Sequence, residues 1–450
     1  MRVLLVRPRP DPRSINLQRF MICEPLELET VAAALMQAGH DVDVVDLILE
    51  RKELRWFLKQ QSYDFVGFTG YINHVQVIKE LAREVKRVSP ELRTIVGGVH
   101  AEVVPSDFAD EAIDHILWAN GVTTMIDVIA APSKAQAAGL PGVWAQGKVK
   151  PPVQPLTGVF PDRSITARYR KNYNYIFHER CATLKTSFGC PFTCQFCFCT
   201  QVCPYAERDL DEVLDELTQI EEDNVFIVDD NFLYRPSRIR AFCEGLDARG
   251  IHKNFIAFGR VDFIARHPQE MAMLAEHGFE AIFIGLESFR DDELDRFGKR
   301  TSGQQNLEAV QVMEAVGIQP YSGLITGVDW TRRDFDNLIA HLNEFTHPAV
   351  NIQPITPMPG TPLFDETGSG LTLSRDRSCR WDMAHVAFKP TAMSYRAYYR
   401  NIIRAYMKTT LPKAQRRYWH QRYGDKVYRR VRRGVVGVTL QYLALVIWPY

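Results

Sequence analysis

Long apolar runs are scarce in this chain of 450 residues, and no stretch before residue 434 approaches the ~20 apolar residues that a membrane-spanning helix needs. The opening Met1-Arg2-Val3-Leu4-Leu5-Val6-Arg7-Pro8 has too short an apolar run for a signal peptide and no cleavage site, so a cytoplasmic protein is expected. Net charge is absent: 54 Lys and Arg balance 54 Asp and Glu. No Ser/His/Asp or His-carboxylate constellation stands out, which argues against nucleophilic or acid–base hydrolysis. The nine cysteines contain no second pair spaced to complete a four-ligand zinc site. Apolar residues make up 46% of the chain, ample for real cores, and the length predicts two or three domains.

What the sequence does hold is a clustered trio, Cys190, Cys194 and Cys197, in Thr186-Ser187-Phe188-Gly189-Cys190-Pro191-Phe192-Thr193-Cys194-Gln195-Phe196-Cys197. An Fe4S4 cube is held by cysteine thiolates. Three thiolates on one tight CxxxCxxC loop hold three corners and leave the fourth iron open to a small molecule. Ala182–Thr186 reads as the strand leading in, and Gly189 and Pro191 break the ladder and force a turn. Cys199 and Cys203 read as nearby loop or helix-start thiols rather than further ligands. Cys23, Cys243 and Cys379 read as small buried hydrophobes. A thiol-held cluster fits a reducing compartment, not a disulfide-forming one.

Four regions are expected: a first domain over 1–132, a linker over 133–178 rich in Ala, Pro, Gly and Gln, a second domain over 179–375, and a mainly helical region over 376–450. In the first, strands at Arg2–Val6, Asp41–Val45, Phe65–Thr69, Arg93–Gly97 and His115–Ala119 alternate with helices at Leu26–Ala38 and Val75–Val88. This predicts an α/β, doubly wound, Rossmann-like (flavodoxin-like) parallel sheet. Its ligand crevice would lie beyond the strand C-termini, at Pro8–Glu24, Gly70–His74 and Gly97–His100. In the second domain, strands at Ala182–Thr186, Val225–Val228, Phe255–Phe258, Ala281–Ile284, Pro320–Ile325 and Val350–Ile355 predict an open, partial (β/α)6 version of the TIM-type barrel.

The cysteine loop, with Phe196 before its last cysteine, resembles that of the radical S-adenosylmethionine (SAM) enzymes. The first domain resembles the B12-binding domain of the cobalamin-dependent branch of that family, through Glu24-Pro25-Leu26 and Gly97-Gly98-Val99-His100 followed by Val104-Pro105. The chain lacks a D-x-H-x-x-G motif, as that branch usually does, and reads Ala119-Asn120-Gly121-Val122-Thr123 where the family often has Gly-Glu-Gly-Glu.

The resemblance implies a [4Fe-4S] cluster on Cys190, Cys194 and Cys197. It implies SAM against Phe196, Asp229, Asp230, Arg260, Glu287, Gly323, Ile325 and Gly327, all but Phe196 at or near strand ends. It also implies cobalamin against Glu24, Pro25, Gly97, Gly98 and His100. Lys299 matches a family lysine that can equally pair with an acid, and Thr356-Pro357-Met358-Pro359-Gly360-Thr361 matches a segment common in the branch.

The implied activity is a class B-type C-methylation. One SAM, cleaved by an electron from the cluster, yields a deoxyadenosyl radical that takes hydrogen from an unactivated carbon. Cobalamin carries a methyl from a second SAM to that carbon. The alternatives are ring formation as in the anaerobic cyclases, or tRNA methylthiotransfer, which the single cysteine before residue 150 (Cys23) disfavours. A one-electron reductant such as flavodoxin or ferredoxin is implied, and no nucleic acid is expected.

Between Arg396 and Arg433 stand 13 Lys and Arg and one acid, Asp425, followed by the apolar Val435–Trp448. That segment either packs its apolar end on the parent domain or lies on an anionic membrane surface. It tilts the expected substrate toward a lipid or tetrapyrrole-like molecule.

Overall fold

In the computed structural model, which describes residues 1–367 and 370–448, the run Val3–Val6 of β1 (Arg2–Arg7) is wholly buried. A strand apolar on both faces belongs inside a parallel sheet. β1 pairs in parallel with β2 (Asp41–Asp46) and β3 (Phe65–Thr69), and β4 (Arg93–Gly97) and β5 (His115–Ile116) complete the order β2-β1-β3-β4-β5. Each face has its own core. Leu28, Ala32 and Leu35 of the helix Leu26–Gln37 join Met125 and Val128 on one side. Ile78, Ala82 and Val85 of Val75–Val88 join Leu54 and Leu58 on the other. The strand order reverses between β1 and β3, which is where a doubly wound sheet opens its ligand crevice.

Residues 133–178 pack against the domains at their two ends, while residues 145–164 between hold no buried side chain. Ser133 caps the helix Lys134–Gly139 by accepting from the Gln136 amide, and Ala137 and Val143 are buried in the first domain's core. Leu117 bridges to Val143, extending the sheet edge. Further on, Tyr169, Tyr173 and Tyr175 are buried. The composition signalled a boundary, and its ends, through Ala137, Val143 and the three tyrosines, still supply buried side chains to the domains on either side.

A charged seam joins the domains. Arg170 pairs with Glu24 (3.0 Å) and Glu222, and Arg163 with Glu216 (2.8 Å). Beside them Glu29 is wholly buried, with Thr166 donating to one oxygen. Burial, then the neighbouring Glu24 charge, raises its pKa to about 9. The folded chain therefore holds a proton there that the unfolded chain, with the ordinary value of 4.5, loses first. This contribution to stability falls as pH rises from about 4.5 to about 9. Glu29→Gln should accordingly raise the urea midpoint at about pH 8 and leave it nearly unchanged at about pH 4, because only the former ionises the unfolded carboxyl.

The second sheet runs, all parallel and in sequence order, through β6 (Cys181–Leu184), β7 (Asn224–Ile227), β8 (Asn254–Gly259), β9 (Phe279–Glu287), β10 (Gln319–Thr326) and β11 (Ala349–Pro354). Alternate residues divide its two faces. Val225, Ile227, Phe255, Ile282, Ile284 and Leu324 meet the outer helices. Phe226, Ile256, Ala281 and Tyr321 form a separate, aromatic inner cluster. The buried inner residues plug the lumen, while Val228, Phe258 and Phe283, one step further along their strands, stay half-buried.

The helices Tyr395–Thr410 and Lys413–Ile447 close the structure, the latter broken at Gly424 (φ 77°). Trp419 and Tyr423 stack on Phe177 at 4.9 and 4.5 Å. At Gly434 a Cβ would come within 2.2 Å of the Phe20 ring, so this glycine seats the helix on the loop of residues 8–20. Among the described residues no helix is long and apolar enough to cross a membrane. Residues 368–369 and 449–450, inside the ranges expected for the barrel and the helical region, lie outside the described residues.

Candidate active site

The cysteine loop is a closed hairpin. Ser187–Phe188 pairs antiparallel with Ala206–Glu207. Gly189 takes φ 60°, and a Cβ there would lie 2.3 Å from the Cys203 carbonyl, so only glycine allows this closure. Gln195 pins the tip: its amide donates to the Phe297 carbonyl and its carbonyl accepts from the Leu363 amide, both at 3.0 Å. The base is held by Asp229. Its carboxylate is 1% exposed and accepts from the Thr186 amide (2.6 Å) and hydroxyl (2.5 Å) and from the Ser187 amide (3.0 Å) and hydroxyl (2.7 Å). Expected at the SAM ammonium, Asp229 instead spends its lone pairs on the strand-to-loop turn. The exposed neighbour, Asp230, remains open to a ligand, with the Cys199 thiol 3.3 Å from its Oδ1.

Cys190, Cys194 and Cys197 are free, half-buried and within electrostatic reach of one another. Burial raises the Cys190 thiol to about 11. At Cys194 burial also raises the pKa, opposed by Lys299 and Arg260. Cys197 is held below the ordinary value by a hydrogen bond from Cys199. Among the described residues no three His, Cys, Asp or Glu groups converge to hold a single metal ion. A cube asks something different, three thiolates on three separate irons, and one short loop carrying three neighbouring thiols beside two cations fits that anionic group.

Charged residues from β8 and β9 meet Cys194. The Arg260 guanidinium lies 3.9 Å over the Phe192 ring, donates to Asp262 (3.0 Å) and the Lys299 carbonyl (2.7 Å), and approaches the Cys194 sulfur at 3.7 Å. Glu287, at φ 59°, pairs with Lys299 at 2.7 Å. Gly285 makes room for the pair, since a Cβ would sit 2.1 Å from the Glu287 carboxylate. Phe196 and Ile325 join Phe297, Ile355 and Leu363 in an apolar patch beside the loop, a surface suited to an adenine face. Gly323 packs against Phe283, where a Cβ would stand 3.1 Å away, and Gly327 turns tightly over Asp329 and Trp330.

The first domain's crevice abuts this loop. Helix Val99–Val103 packs on Cys199–Val202, and Val103 fills the space beside Gly360. Gly98 takes φ 90° with a Cβ position 2.5 Å from the Thr69 hydroxyl, and a Cβ at Gly97 would meet nothing nearer than Leu117 at 3.9 Å. Two expected contacts are otherwise engaged. Glu24 is 4% exposed and accepts from the Thr183 amide at 2.7 Å as well as from Arg170, so it ties the domains together. His100 is 6% exposed and bound through Nε2 to Asp107 (2.9 Å), which also pairs with Arg375. Pro25 is buried at the start of helix Leu26–Gln37.

Tyr71 was not singled out in the sequence. Its side chain is 56% exposed, and its hydroxyl feels the charges of Glu27 and Arg7 of the first domain and of Asp230 of the second. Its only sequence signal was its place in the crevice loop after β3. Gly98 packs its backbone closely on Thr69 and Gly70 of the loop that carries Tyr71, so the strand ends and the crevice loop are held together beside the cysteine loop.

The site joins a doubly wound domain to a loop of three free thiols at the mouth of a partial parallel barrel. The B12 binding domain family matches residues 13–129, and the Radical SAM superfamily matches residues 184–342. The hopanoid C-3 methylase of Methylococcus capsulatus is 29% identical over 90% of this chain and 79% of its own. The anaerobic magnesium-protoporphyrin IX monomethyl ester cyclase of Rubrivivax gelatinosus is 25% identical over 82% and 70%. The solved cobalamin-dependent SAM radical enzyme OxsB, with aqua-cobalamin and SAM bound, superposes with a TM-score of 0.69 at 16% identity, over 99% of this chain and 72% of that one. The chain belongs to the cobalamin-dependent radical SAM enzymes, whose cofactors are cobalamin, a [4Fe-4S] cluster and SAM.

Proposed function

We propose that this enzyme methylates an unactivated carbon of an apolar small molecule held in the barrel lumen. The observation that carries the substrate class is the lumen wall. Val228, Phe258 and Phe283 stay half-buried above the aromatic plug, and Leu17, Met21 and Cys23 of the first domain and Val427 and Val438 of the last helix join the same cluster. Such a wall recognises hydrocarbon by area and shape and excludes water. The hopanoid methylase and the porphyrin-ester cyclase have names that describe large, mostly apolar ring systems.

When bound, the cluster and SAM supply hydrogen abstraction and the cobalamin supplies methyl transfer, chemistry that an unactivated C–H bond requires because it has no useful acidity. The chain's own groups position these parts. Asp229 and Gln195 fix the cysteine loop, Arg260 and Lys299 place positive charge beside Cys194, and Phe196 and Ile325 offer an apolar face. Asp230, exposed beside the loop, is the acid suited to the SAM ammonium.

The test is anaerobic turnover with cobalamin, SAM, a reductant and candidate polycyclic lipids. Expected are a methylated product and comparable amounts of 5'-deoxyadenosine and S-adenosylhomocysteine. Deoxyadenosine with a cyclised product and no S-adenosylhomocysteine would replace this reading by ring formation. Phe283→Trp should narrow the lumen and cut methylated product by about tenfold or more, with deoxyadenosine formation retained.

A further inference from the structure

The last helix has two faces, and only one is used by the fold. Val431, Gly434, Tyr442 and Leu445 are buried against the protein. On the opposite side Val436, Leu440, Leu443 and Ile447 recur every three or four residues and are 50, 60, 42 and 52% exposed. Such spacing forms one stripe along a helix. The same stripe continues toward the N-terminus as Lys426, Arg429, Arg432 and Arg433, all exposed. At its other end Trp448 is 73% exposed, and Arg396 of the preceding helix reaches the Ile447 carbonyl at 3.3 Å. Exposed large apolar groups in a continuous row, with cations at both ends and two nearby acids, Asp425 bound to Arg429 and Glu179 3.5 Å from Lys426, leave Arg432 and Arg433 free, among the described residues, for an occupant.

We propose that this face docks on an anionic lipid surface, the helix lying in the headgroup layer with its apolar half dipping toward the acyl chains. The proposal rests on the reading of an apolar substrate and names where such a substrate would be met. Charge complementarity selects the occupant: apolar side chains enter the interface while the arginines meet lipid phosphates, two signals that together give stable but reversible binding. The stripe is too short to span, in keeping with the absence of a spanning helix among the described residues. A second copy fits poorly. A two-fold pairing would set one arginine cluster against the other, or against the apolar half. The buried side of the same helix contributes Val427 and Val438 to the lumen cluster, so a membrane-resident substrate would have one helix between its reservoir and its pocket.

The test is sedimentation of the full-length chain, reconstituted anaerobically with iron, sulfide and cobalamin, with vesicles of phosphatidylcholine alone or with one third phosphatidylglycerol. Expected is a partition about tenfold or more stronger on the anionic vesicles, weakening as salt is raised. Leu440→Asp with Ile447→Asp, and separately Arg432→Glu with Arg433→Glu, should each lower it about tenfold or more, with circular dichroism and SAM cleavage unchanged. No binding to anionic vesicles, or variants that bind like the parent, would overturn the proposal. So would a dimer in sedimentation equilibrium that the aspartate pair dissolves. Vesicle binding needs no turnover, so intact docking without methylated product would count against the substrate reading alone.

Discussion

Replacing Cys190, Cys194 or Cys197 singly by alanine is expected to abolish 5'-deoxyadenosine formation, to background, while Cys199→Ala and Cys203→Ala leave most of it. The loop offers three thiols that are electrostatic neighbours, and each must hold its own iron. Losing one leaves two anchors for a cube, and the nearest remaining thiol, Cys199, stands on a different element, the helix Cys199–Val202, where it bonds Cys197 and Asp230. Iron and sulfide content after anaerobic reconstitution and the electron paramagnetic resonance signal of the reduced protein check the cluster, and chromatography of the quenched reaction checks SAM cleavage. If Cys199→Ala proves as damaging as Cys194→Ala, the thiol assignment is wrong.

The strands were legible because parallel strands buried on both faces read as near-continuous apolar runs, and helices between them show a 3.6-residue stripe. Val3–Val6 and the six runs from Ala182 to Ile355 all became strands of the expected sheets. The cysteine loop was legible because ligand spacing is local. What escaped was which side chains meet in three dimensions, most of it set by partners far apart in sequence. Glu24 looked like a crevice residue from its motif, but its neighbours are Arg170 and Thr183, well over a hundred residues on. His100 is held through Nε2 by Asp107 only seven residues on, a turn the motif did not announce, and Tyr71 feels charges from both domains. The tail posed a choice between packing and lipid contact, and a single helix can do both on opposite sides. That is invisible without knowing which side the barrel covers.

Asp229→Ala is expected to cost about 3 kcal/mol or more of stability and, at temperatures where the fold persists, to strip the cluster. The carboxylate is buried and receives four donors, two of them the consecutive amides of Thr186 and Ser187 where β6 ends and the cysteine hairpin begins. Without it those amides and hydroxyls face an apolar cavity unpaired, and the hairpin base has no fixed origin. Asp229→Asn should be nearly as harmful, because its amide group would point a donor at donors. The two roles open to this residue separate cleanly. A SAM ligand would, on removal, leave the iron content intact and raise the SAM concentration needed for half-maximal rate. A loop anchor would lower iron retention and thermal midpoint together, and excess SAM would not restore deoxyadenosine. Asp230→Asn supplies the contrast: exposed and outside that network, it should keep iron and fold and weaken SAM use by about tenfold, the loss of one charge-assisted contact. The opposite pairing of results would return Asp229 to the ligand and leave the hairpin to be held by Gln195 and by its own pairing with Ala206–Glu207.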